Sequence, residues 1–274
     1  MSKAARERRG CEPVKIARIL WQGMECRARV TCAGYLVEAP EPLAGRSVRE
    51  EEVELLPPVA PGKILAVGWN FPDHIKEMAE RTAQGQQVTA PPAGEMPPPL
   101  LFLKPSSSLI GHGEVIVYPR DATRVEYEGE LAVVISRDIR RVTPEEARGA
   151  VWGWTCANDV TERDLQAKDK QWWRAKGYDT FAVAGPFLET EEPSPEAWIR
   201  TRVNGRLRQE GQVKDMIRDP YTIIALISQA MTLKRGDLIM LGTPPGVGEL
   251  RPGDEVEVEI DGVGYLRNPV QVEE

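Results

Sequence analysis

The sequence is poor in the residues that mark several common functional classes. Its four cysteines are scattered and form no Cys-x-x-Cys pair. This spacing argues against a thiolate zinc site and favours reduced thiols in a cytoplasm. No stretch approaches the roughly 18 apolar residues that a membrane-spanning helix needs. Positive charge is in deficit, with a formal net charge of −7, which disfavours nucleic acid and anionic membranes as partners. Only two histidines, His74 and His112, are available for imidazole chemistry.

The chain is otherwise typical of a soluble globular protein. It has 274 residues, 41% of them hydrophobic and 28% charged, which predicts one large domain or a main domain with a small appendage. The first ten residues are basic and lack the apolar core of a signal peptide, so we expect a disordered tail. Residues 14–38 alternate in short bursts that predict three strands, with turns at Gly23 and Gly34. We interpret 1–58 as a small β-rich N-terminal unit and 59–274 as the main domain; alternatively, 1–58 decorates a single fold.

An acidic stretch after Arg124 is the most informative part of the chain. In an extended segment Glu126, Glu128 and Glu130 project to one side, with neighbours about 6.5–7 Å apart. Two carboxylates at this spacing can bind one cation, and Asp159, at the end of a second apolar segment, is the natural third ligand. The apolar run 131–135 predicts a strand covered on both faces, where carboxylates are costly unless paired or bound to metal.

The same alternation also describes a strand with one solvated face. Glu255, Glu257 and Glu259 alternate with apolar residues in this way and are followed by the hairpin signal Asp261-Gly262. For the segment from Glu126 to Glu130, spacing alone is therefore compatible with either a metal site or a solvated strand face.

A helix with an acid–base pair is predicted from Pro72, which suits a first helical turn. His74 and Glu77 are three residues apart and share a face, and a carboxylate beside an imidazole raises its basicity and fixes its tautomer. A surface pair without function is the alternative. The segment from Gln84 to Pro99 is rich in Gln, Gly, Ala and Pro, which predicts a loop that is either a lid or disordered.

Further polar residues follow predicted strands. Lys104 comes before a serine turn, Arg163 and Gln166 share the face of a short helix beyond Asp159, and Lys176 follows two tryptophans. Lys176 can balance the carboxylates or hold an anionic substrate. The glycine-rich segment 242–248, which includes Thr243, follows a buried strand and can receive an anion on its backbone amides. It lacks the Gly-Lys-Ser/Thr of a nucleotide-binding loop.

These motifs stand in a specific order along the chain. They are Asn70-Phe-x-x-His74-x-x-Glu77, Leu-Phe-Leu-Lys104-Pro-Ser-Ser-Ser, Val-x-Tyr-Glu128-Gly-Glu130-Leu-Ala-Val-Val-Ile, Asn158-Asp159-Val-Thr-x-Arg163-Asp-x-Gln166, Lys176-x-x-Asp179-Thr-Phe and Gly-Thr243-Pro-x-Gly-Val-Gly. The combination resembles the fumarylacetoacetate hydrolase family over about residues 61–270. The sequence departs from the family where Glu126 replaces a frequent aspartate, Phe71 a common tyrosine and Val183 a frequent proline.

The resemblance implies a β-rich α+β fold of mixed sheets with few helices, in a cytoplasmic homodimer. It implies that Glu128, Glu130 and Asp159 hold Mg²⁺ or Mn²⁺. His74 and Glu77 would form the acid–base pair on a mobile lid, with Lys176 beside the metal as a third catalytic residue. The residues expected to bind the substrate are Arg163, Gln166, Lys104 and Thr243.

The implied activity is Mg²⁺-dependent and uses small 2-oxo or 2-hydroxy-dienoic dicarboxylic acids. A metal-stabilised enolate would allow isomerisation or decarboxylation in the breakdown of aromatic compounds. The alternative within the family is an acylpyruvate- or fumarylacetoacetate-type hydrolase, in which His74 and Glu77 activate water to split a C–C bond. A non-catalytic, metal-stabilised binding protein is a third possibility, although mere binding needs no base. Phosphoryl transfer is disfavoured, because a phosphate loop is missing.

Overall fold

Three β-sheets organise the fold; the two larger ones are mixed and the smallest is antiparallel. The computed structural model describes residues 14–90 and 98–274. Within them, twelve strands form the first sheet, three the second and five the third, accompanied by five short α-helices. The prediction of a β-rich α+β fold with mixed sheets and few helices is confirmed.

The elements are numbered in chain order. The N-terminal strands are β1 (Lys15–Trp21), β2 (Met24–Thr31), β3 (Gly34–Ala39), β4 (Ser47–Val48) and β5 (Glu54–Leu56). The next nine are β6 (Ile64–Gly68), β7 (Leu100–Lys104), β8 (Leu109–Ile110), β9 (Ile116–Tyr118), β10 (Val125–Tyr127), β11 (Gly129–Ile135), β12 (Val151–Asp159), β13 (Thr161–Glu162) and β14 (Ala182–Glu189). The last six are β15 (Trp198–Val203), β16 (Arg206–Gln212), β17 (Leu238–Met240), β18 (Gly248–Glu249), β19 (Glu255–Ile260) and β20 (Gly264–Val272). The helices are α1 (Pro72–Ala83), α2 (Pro144–Arg148), α3 (Arg163–Lys168), α4 (Trp173–Lys176) and α5 (Pro220–Ala230).

The large sheet places two buried strands at its centre. Its order is β4-β3-β2-β1-β14-β12-β11-β17-β6-β7, with β5 added at β1 and β8 at β14. Strands β11 and β12 run antiparallel, with Gly129 opposite Asn158 and Ile135 opposite Val151. Every residue of β11 is buried, as its continuous apolar run predicts. The carboxyl end of β12 therefore meets the amino end of β11 inside the protein.

Strand β19, which carries the second Glu-x-Glu segment, behaves differently. In β19 the valines and isoleucine are buried, while the three glutamates are partly exposed. This strand pairs with β20 through a turn at Asp261-Gly262, as predicted. The two Glu-x-Glu segments are therefore distinguished by what packs against them, and only the first one lies in the interior.

The helices begin at the positions that local sequence signals indicate. Pro72 opens α1, and Thr143 caps α2 by accepting a hydrogen bond from the backbone N–H of Glu146. The short helix predicted beyond Asp159 begins at Arg163, because Thr161 and Glu162 pair with β10 as strand β13. Glu162 then caps α3 by accepting from the N–H of Leu165.

The N-terminal strands extend the large sheet. The three strands predicted in 14–38 are confirmed as β1, β2 and β3, and β1 also pairs antiparallel with β14. The division at residue 58 stays a prediction. The basic tail and Cys11 lie outside the described residues. Within the described residues, Cys26, Cys32 and Cys156 are free thiols.

The proline-bearing segment after α1 follows its prediction where it is described. Residues 86–90 and 98–99 have neither helix nor strand, whereas 91–97 lie outside the described residues. Among the helices that the structure describes, none combines the length and the apolar character that crossing a bilayer requires.

Candidate metal centre and acid–base pair

Three carboxylates converge where β11 and β12 meet. Glu128 lies between β10 and β11, Glu130 is the second residue of β11, and Asp159 ends β12. Because the backbone N–H of Asp159 donates to the carbonyl of Glu128 at 2.9 Å, the two chain segments are held together here. One oxygen from each carboxylate lies within 4.8 Å of the others, and the side chains are buried. The sequence prediction of this convergence is confirmed.

Cations surround two of the three carboxylates. Lys176 Nζ donates to Glu128 Oε2 and to Asp159 Oδ2, both at 2.7 Å. Arg163 Nη2 donates to Glu128 Oε1 at 2.6 Å, and Lys104 Nζ donates to Asp159 Oδ1 at 2.5 Å. Glu130 Oε2 instead accepts only a backbone hydrogen bond in the described residues, from the N–H of Gly242 at 2.6 Å.

The electrostatics of the cluster follow from this uneven pairing. Burial alone would raise the pKa of Glu128, but Lys176 and Arg163 outweigh it and hold that pKa below its ordinary value. The pKa of Glu130 is raised well above its ordinary value by burial and by the negative charges of Asp159 and Glu128. Negative charge at Glu130 is thus undercompensated by the protein.

The donor set fits a hard divalent cation. Mg²⁺ and Mn²⁺ prefer carboxylate oxygens, and the three oxygens here come from separate side chains facing one point. A cation placed there would supply the positive charge that Glu130 does not receive from neighbouring side chains. The structure therefore contains an acidic triad that could bind a metal.

The backbone of the segment that carries Glu128 and Glu130 is held by side chains from other elements. Asn158 Oδ1 accepts from the N–H of Glu128 at 2.9 Å, and Gln209 Oε1 accepts from the N–H of Gly129 at 2.9 Å. Thr243 Oγ1 donates to the carbonyl of Gly129 at 2.9 Å. A Cβ atom at position 129 would lie 2.0 Å from Thr201 Oγ1, so only glycine fits between the two glutamates.

Sequence reasoning missed two of these residues. Asn158 stands in a recognised motif but was assigned no role, and Gln209 was not singled out at all. The segment 206–212 reads Arg-Leu-Arg-Gln-Glu-Gly-Gln, which is polar except for Leu207 and Gly211 and gives no periodic signal for a buried residue. The dipeptide Asn204-Gly205 before it predicts a β-hairpin, which the pairing of β15 with β16 confirms.

The predicted acid–base pair forms on α1, and its histidine reaches the carboxylates. His74 Nδ1 lies 3.1 Å from Glu77 Oε2, and Glu77 Oε1 accepts from the N–H of Gly246 at 3.1 Å. His74 is buried and lines a small cavity, of about 20 Å³, together with all three carboxylates. With Nδ1 bound to Glu77, the imidazole has Nε2 free for a proton.

The predicted substrate-binding residues divide into two groups. Arg163, Gln166 and Thr243 line the cavity, as does Lys176. Lys104 is fully buried beside Asp159, and its ammonium also donates to the carbonyl of Val160. It does not line the cavity, and its contact with substrate stays a prediction.

Glu126 does not join the triad, although it shares the same sequence alternation. The strand breaks at Glu128, so Glu126 belongs to β10 in the three-stranded sheet and Glu130 to β11 in the large sheet. Its carboxylate accepts from Arg163 Nε at 2.9 Å and is also bound by Arg81. The three glutamates thus do not form one continuous strand face.

The second histidine lies elsewhere. His112 lines an open cleft of about 630 Å³ between the N-terminal strands and β19–β20. Its Nδ1 accepts from the N–H of Arg267 at 3.2 Å, and burial together with Arg267 lowers its pKa. None of the three carboxylates of the triad lines this cleft.

A β-rich protein in which three carboxylates line one cavity together with a histidine that is paired with a glutamate has the features of a metal-assisted acid–base enzyme. Residues 63–271 match the family described as fumarylacetoacetate (FAA) hydrolase, C-terminal. The chain belongs to this family, and like its relatives and structural neighbours it is an enzyme.

Relatives and solved structures carry several names within this family. Oxaloacetate tautomerase YisK of Bacillus subtilis is 38% identical over 232 residues, covering 80% of this chain and 73% of that protein. The structure named 5-carboxymethyl-2-hydroxymuconate delta-isomerase from Mycobacterium smegmatis is 35% identical, with a TM-score of 0.83, and covers 94% of this chain and 100% of its own. Fumarylacetoacetate hydrolase from Exiguobacterium antarcticum is 34% identical, with a TM-score of 0.79 and coverage of 95% and 100%.

Proposed function

We propose that this chain is a Mg²⁺- or Mn²⁺-dependent tautomerase or isomerase of 2-oxo dicarboxylic acids. The observation that carries the proposal is that His74, which is paired with Glu77, lines one small cavity together with the triad of Glu128, Glu130 and Asp159. Isomerisation or tautomerisation of a 2-oxo acid needs both a proton carrier and stabilisation of negative charge on the oxygen, and this cavity offers both. The names of the tautomerase relative and the isomerase neighbour support the same reaction class.

The triad would hold the divalent cation. When bound, the cation supplies positive charge against which the 1-carboxylate and the 2-oxo oxygen of the substrate can be held. Glu128 is already neutralised by Lys176 and Arg163, so these two side chains keep the site from carrying three uncompensated charges.

The remaining residues orient the substrate. Gln166 Oε1 accepts from Arg163 Nη1 at 2.6 Å, which leaves the amide NH₂ of Gln166 to donate to a substrate carboxylate. The guanidinium of Arg163 and the ammonium of Lys176 make this part of the cavity favourable for an anionic dicarboxylate.

His74 moves the proton. Glu77 holds Nδ1–H, so Nε2 accepts a proton from C3 of the 2-oxo acid or delivers one to C3 of its enol form. Glu77 stabilises the imidazolium that results. In an enol-to-keto conversion Nε2 takes the proton of the enol O–H and returns one to C3, so atoms and charge balance without any other reactant.

Assays with three compounds test this function: oxaloacetate, 2-hydroxyhepta-2,4-diene-1,7-dioate and an acylpyruvate, each with Mg²⁺, with Mn²⁺ and with EDTA. We expect metal-dependent loss of enol absorbance with oxaloacetate or isomerisation of the dienoate. If CO₂ is released from any of the compounds faster than these reactions occur, decarboxylation is the main activity. Absence of turnover with all three compounds would refute the proposal.

Hydrolysis is the second candidate, because a structural neighbour bears the name fumarylacetoacetate hydrolase and the same His74–Glu77 pair can activate water. Cleavage of the acylpyruvate to pyruvate and a carboxylic acid, faster than the other two reactions, would favour it.

We further propose a cytoplasmic homodimer, and sedimentation analysis of the purified chain tests its assembly.

A further inference from the structure

Gln209 is a buried carboxamide on an otherwise exposed strand. In β16 only Gln209 and Gly211 are buried, and Gln209 has no exposed surface. Its Oε1 accepts from the N–H of Gly129, while Nε2 donates to Thr243 Oγ1 at 2.7 Å and to the carbonyl of Pro244 at 2.8 Å. Both amide hydrogens and the carbonyl oxygen are thus used within the protein.

Each partner of Gln209 adjoins a functional carboxylate. Gly129 lies between Glu128 and Glu130 in the chain. The segment 242–246, which contains Thr243 and Pro244, donates the N–H of Gly242 to Glu130 and the N–H of Gly246 to Glu77. The carboxamide of Gln209 therefore connects two parts of the site. One is the chain around Gly129, and the other is the segment 242–246, which binds Glu130 and Glu77.

The segment 242–246 rests directly on β16. A Cβ atom at Gly246 would lie 2.1 Å from the carbonyl oxygen of Arg208, and one at Gly211 would lie 2.7 Å from Pro244 Cβ. This close backbone approach on both sides of Gln209 means that a change in its side chain is transmitted to the segment.

We propose that Gln209 is a positioning residue that sets the distance between the triad and the His74–Glu77 pair. The inference rests on the proposed function for its catalytic consequence, but not for its effect on cation binding. Without the carboxamide, the N–H of Gly129 and the carbonyl of Pro244 lose buried partners, and the segment 242–246 is free to shift. A shift of about 1 Å is enough to lower turnover strongly.

The variant Gln209→Met tests this role, because it keeps the length of the side chain and removes its hydrogen bonds. The matched control is Gln212→Met on the same strand, whose amide donates to the carbonyl of Glu196 and contacts none of the site residues described above. Measurements on the full chain are Mn²⁺ affinity of the metal-free protein by calorimetry, hydrogen exchange, melting temperature, kcat and KM.

For Gln209→Met we expect Mn²⁺ affinity and kcat each to fall about 10- to 100-fold, with KM changed less than about 3-fold. Hydrogen exchange should rise in residues 128–131 and 242–248 and not across the sheet. Gln212→Met should match the wild type in all of these. A variant that melts earlier but keeps wild-type Mn²⁺ affinity, local exchange and kcat would reduce Gln209 to a purely structural tie and overturn the proposal.

Two further variants decide the question if Gln209→Met does not fold. Thr243→Val keeps the volume and removes the hydroxyl that joins Gln209 to Gly129, so weaker Mn²⁺ binding and faster local exchange are expected, with rescue in Thr243→Ser. Unchanged Mn²⁺ affinity in Thr243→Val would count against the inference. If the wild type turns over none of the three compounds, the proposed function fails. Mn²⁺ calorimetry and hydrogen exchange still test whether Gln209 positions the two groups, because neither measurement requires turnover.

Discussion

Arg81 binds the buried carboxylate of Glu126 with two hydrogen bonds, from Nη1 to Oε2 at 3.0 Å and from Nη2 to Oε1 at 2.5 Å. Glu126 also accepts from Arg163, which in turn donates to Glu128. A continuous chain of ion pairs thus leads from α1, the helix with the acid–base pair, to the triad. The carboxylate that sequence alternation grouped with the metal ligands instead fastens this helix over the cavity.

Loosening α1 should impair catalysis more than cation binding. The cavity of about 20 Å³ has room for roughly one water molecule, so its lining must rearrange to admit a dicarboxylate, and α1 contributes His74 and Met78 to that lining. For Arg81→Met we expect kcat/KM to fall about 10-fold and the free energy of unfolding to fall by about 1–3 kcal/mol, because a buried charge loses a partner. Steady-state kinetics, calorimetry with Mn²⁺ and urea denaturation measure these.

Lys76→Met provides the control on the same helix, since Lys76 is exposed. It should leave kcat/KM and stability within about 0.5 kcal/mol of the wild type. Wild-type kcat/KM in Arg81→Met would show that the pairing with Glu126 has no part in placing the helix.

Two carboxylates of the triad should affect the stability of the metal-free protein in opposite ways. Glu130 is buried beside two other carboxylates and has no cationic partner within hydrogen-bonding distance in the described residues, so Glu130→Gln relieves repulsion. In EDTA we expect its melting temperature to equal or exceed that of the wild type. Asp159→Asn weakens the pairing of Lys104 and Lys176, and a loss of about 3–5 kcal/mol is expected.

Both variants should lose the rise in melting temperature that Mn²⁺ gives the wild type, as well as the binding heat in calorimetry. Retention of wild-type affinity in either variant would remove that residue from the set of ligands. A marked destabilisation of metal-free Glu130→Gln would contradict the charge imbalance inferred for the cluster.

Glu77 should matter for turnover and not for the cation. It binds His74 with one oxygen and the N–H of Gly246 with the other, and a glutamine cannot accept at both places. For Glu77→Gln we expect kcat to fall about 10- to 100-fold, with unchanged Mn²⁺ affinity. The exposed Glu80→Gln on the same helix is the matched control. Equal kcat values for the two variants would mean that Glu77 does not orient the imidazole.

Features that depend on residues close together in the sequence could be predicted, whereas contacts between distant parts of the chain could not. The buried character of β11, the solvated face of β19 and the reach from His74 to Glu77 all depend on neighbours within a few residues, and these predictions are confirmed. The partner of Glu126 lies 45 residues away on α1, and Gln209 reaches Gly129 across 80 residues. Such contacts depend on how sheets and helices pack on one another, which periodicity within one segment does not encode.

Acid stability offers a test of a fold element remote from the site. Asp219 caps α5 by accepting from the N–H groups of Tyr221 and Thr222 and from the hydroxyl of Thr222. Burial by itself would raise the pKa of Asp219, but these hydrogen bonds outweigh it and lower that pKa below its ordinary value. An unfolded aspartate has a pKa of about 3.9. The carboxylate therefore adds stability above that pH, and the contribution is lost as the pH falls through the lowered folded value.

Replacement of Asp219 should separate the capping effect from the charge. Asparagine still caps a helix but does not titrate, so Asp219→Asn should show a smaller loss of unfolding free energy between pH 7 and pH 3 than the wild type. Asp219→Ala should be less stable by about 1 kcal/mol at pH 7. Urea denaturation at the two pH values measures both effects, and kcat at pH 7 should be unchanged in each variant. Identical pH dependence in the wild type and Asp219→Asn would mean that the folded protein does not favour the ionised form of Asp219.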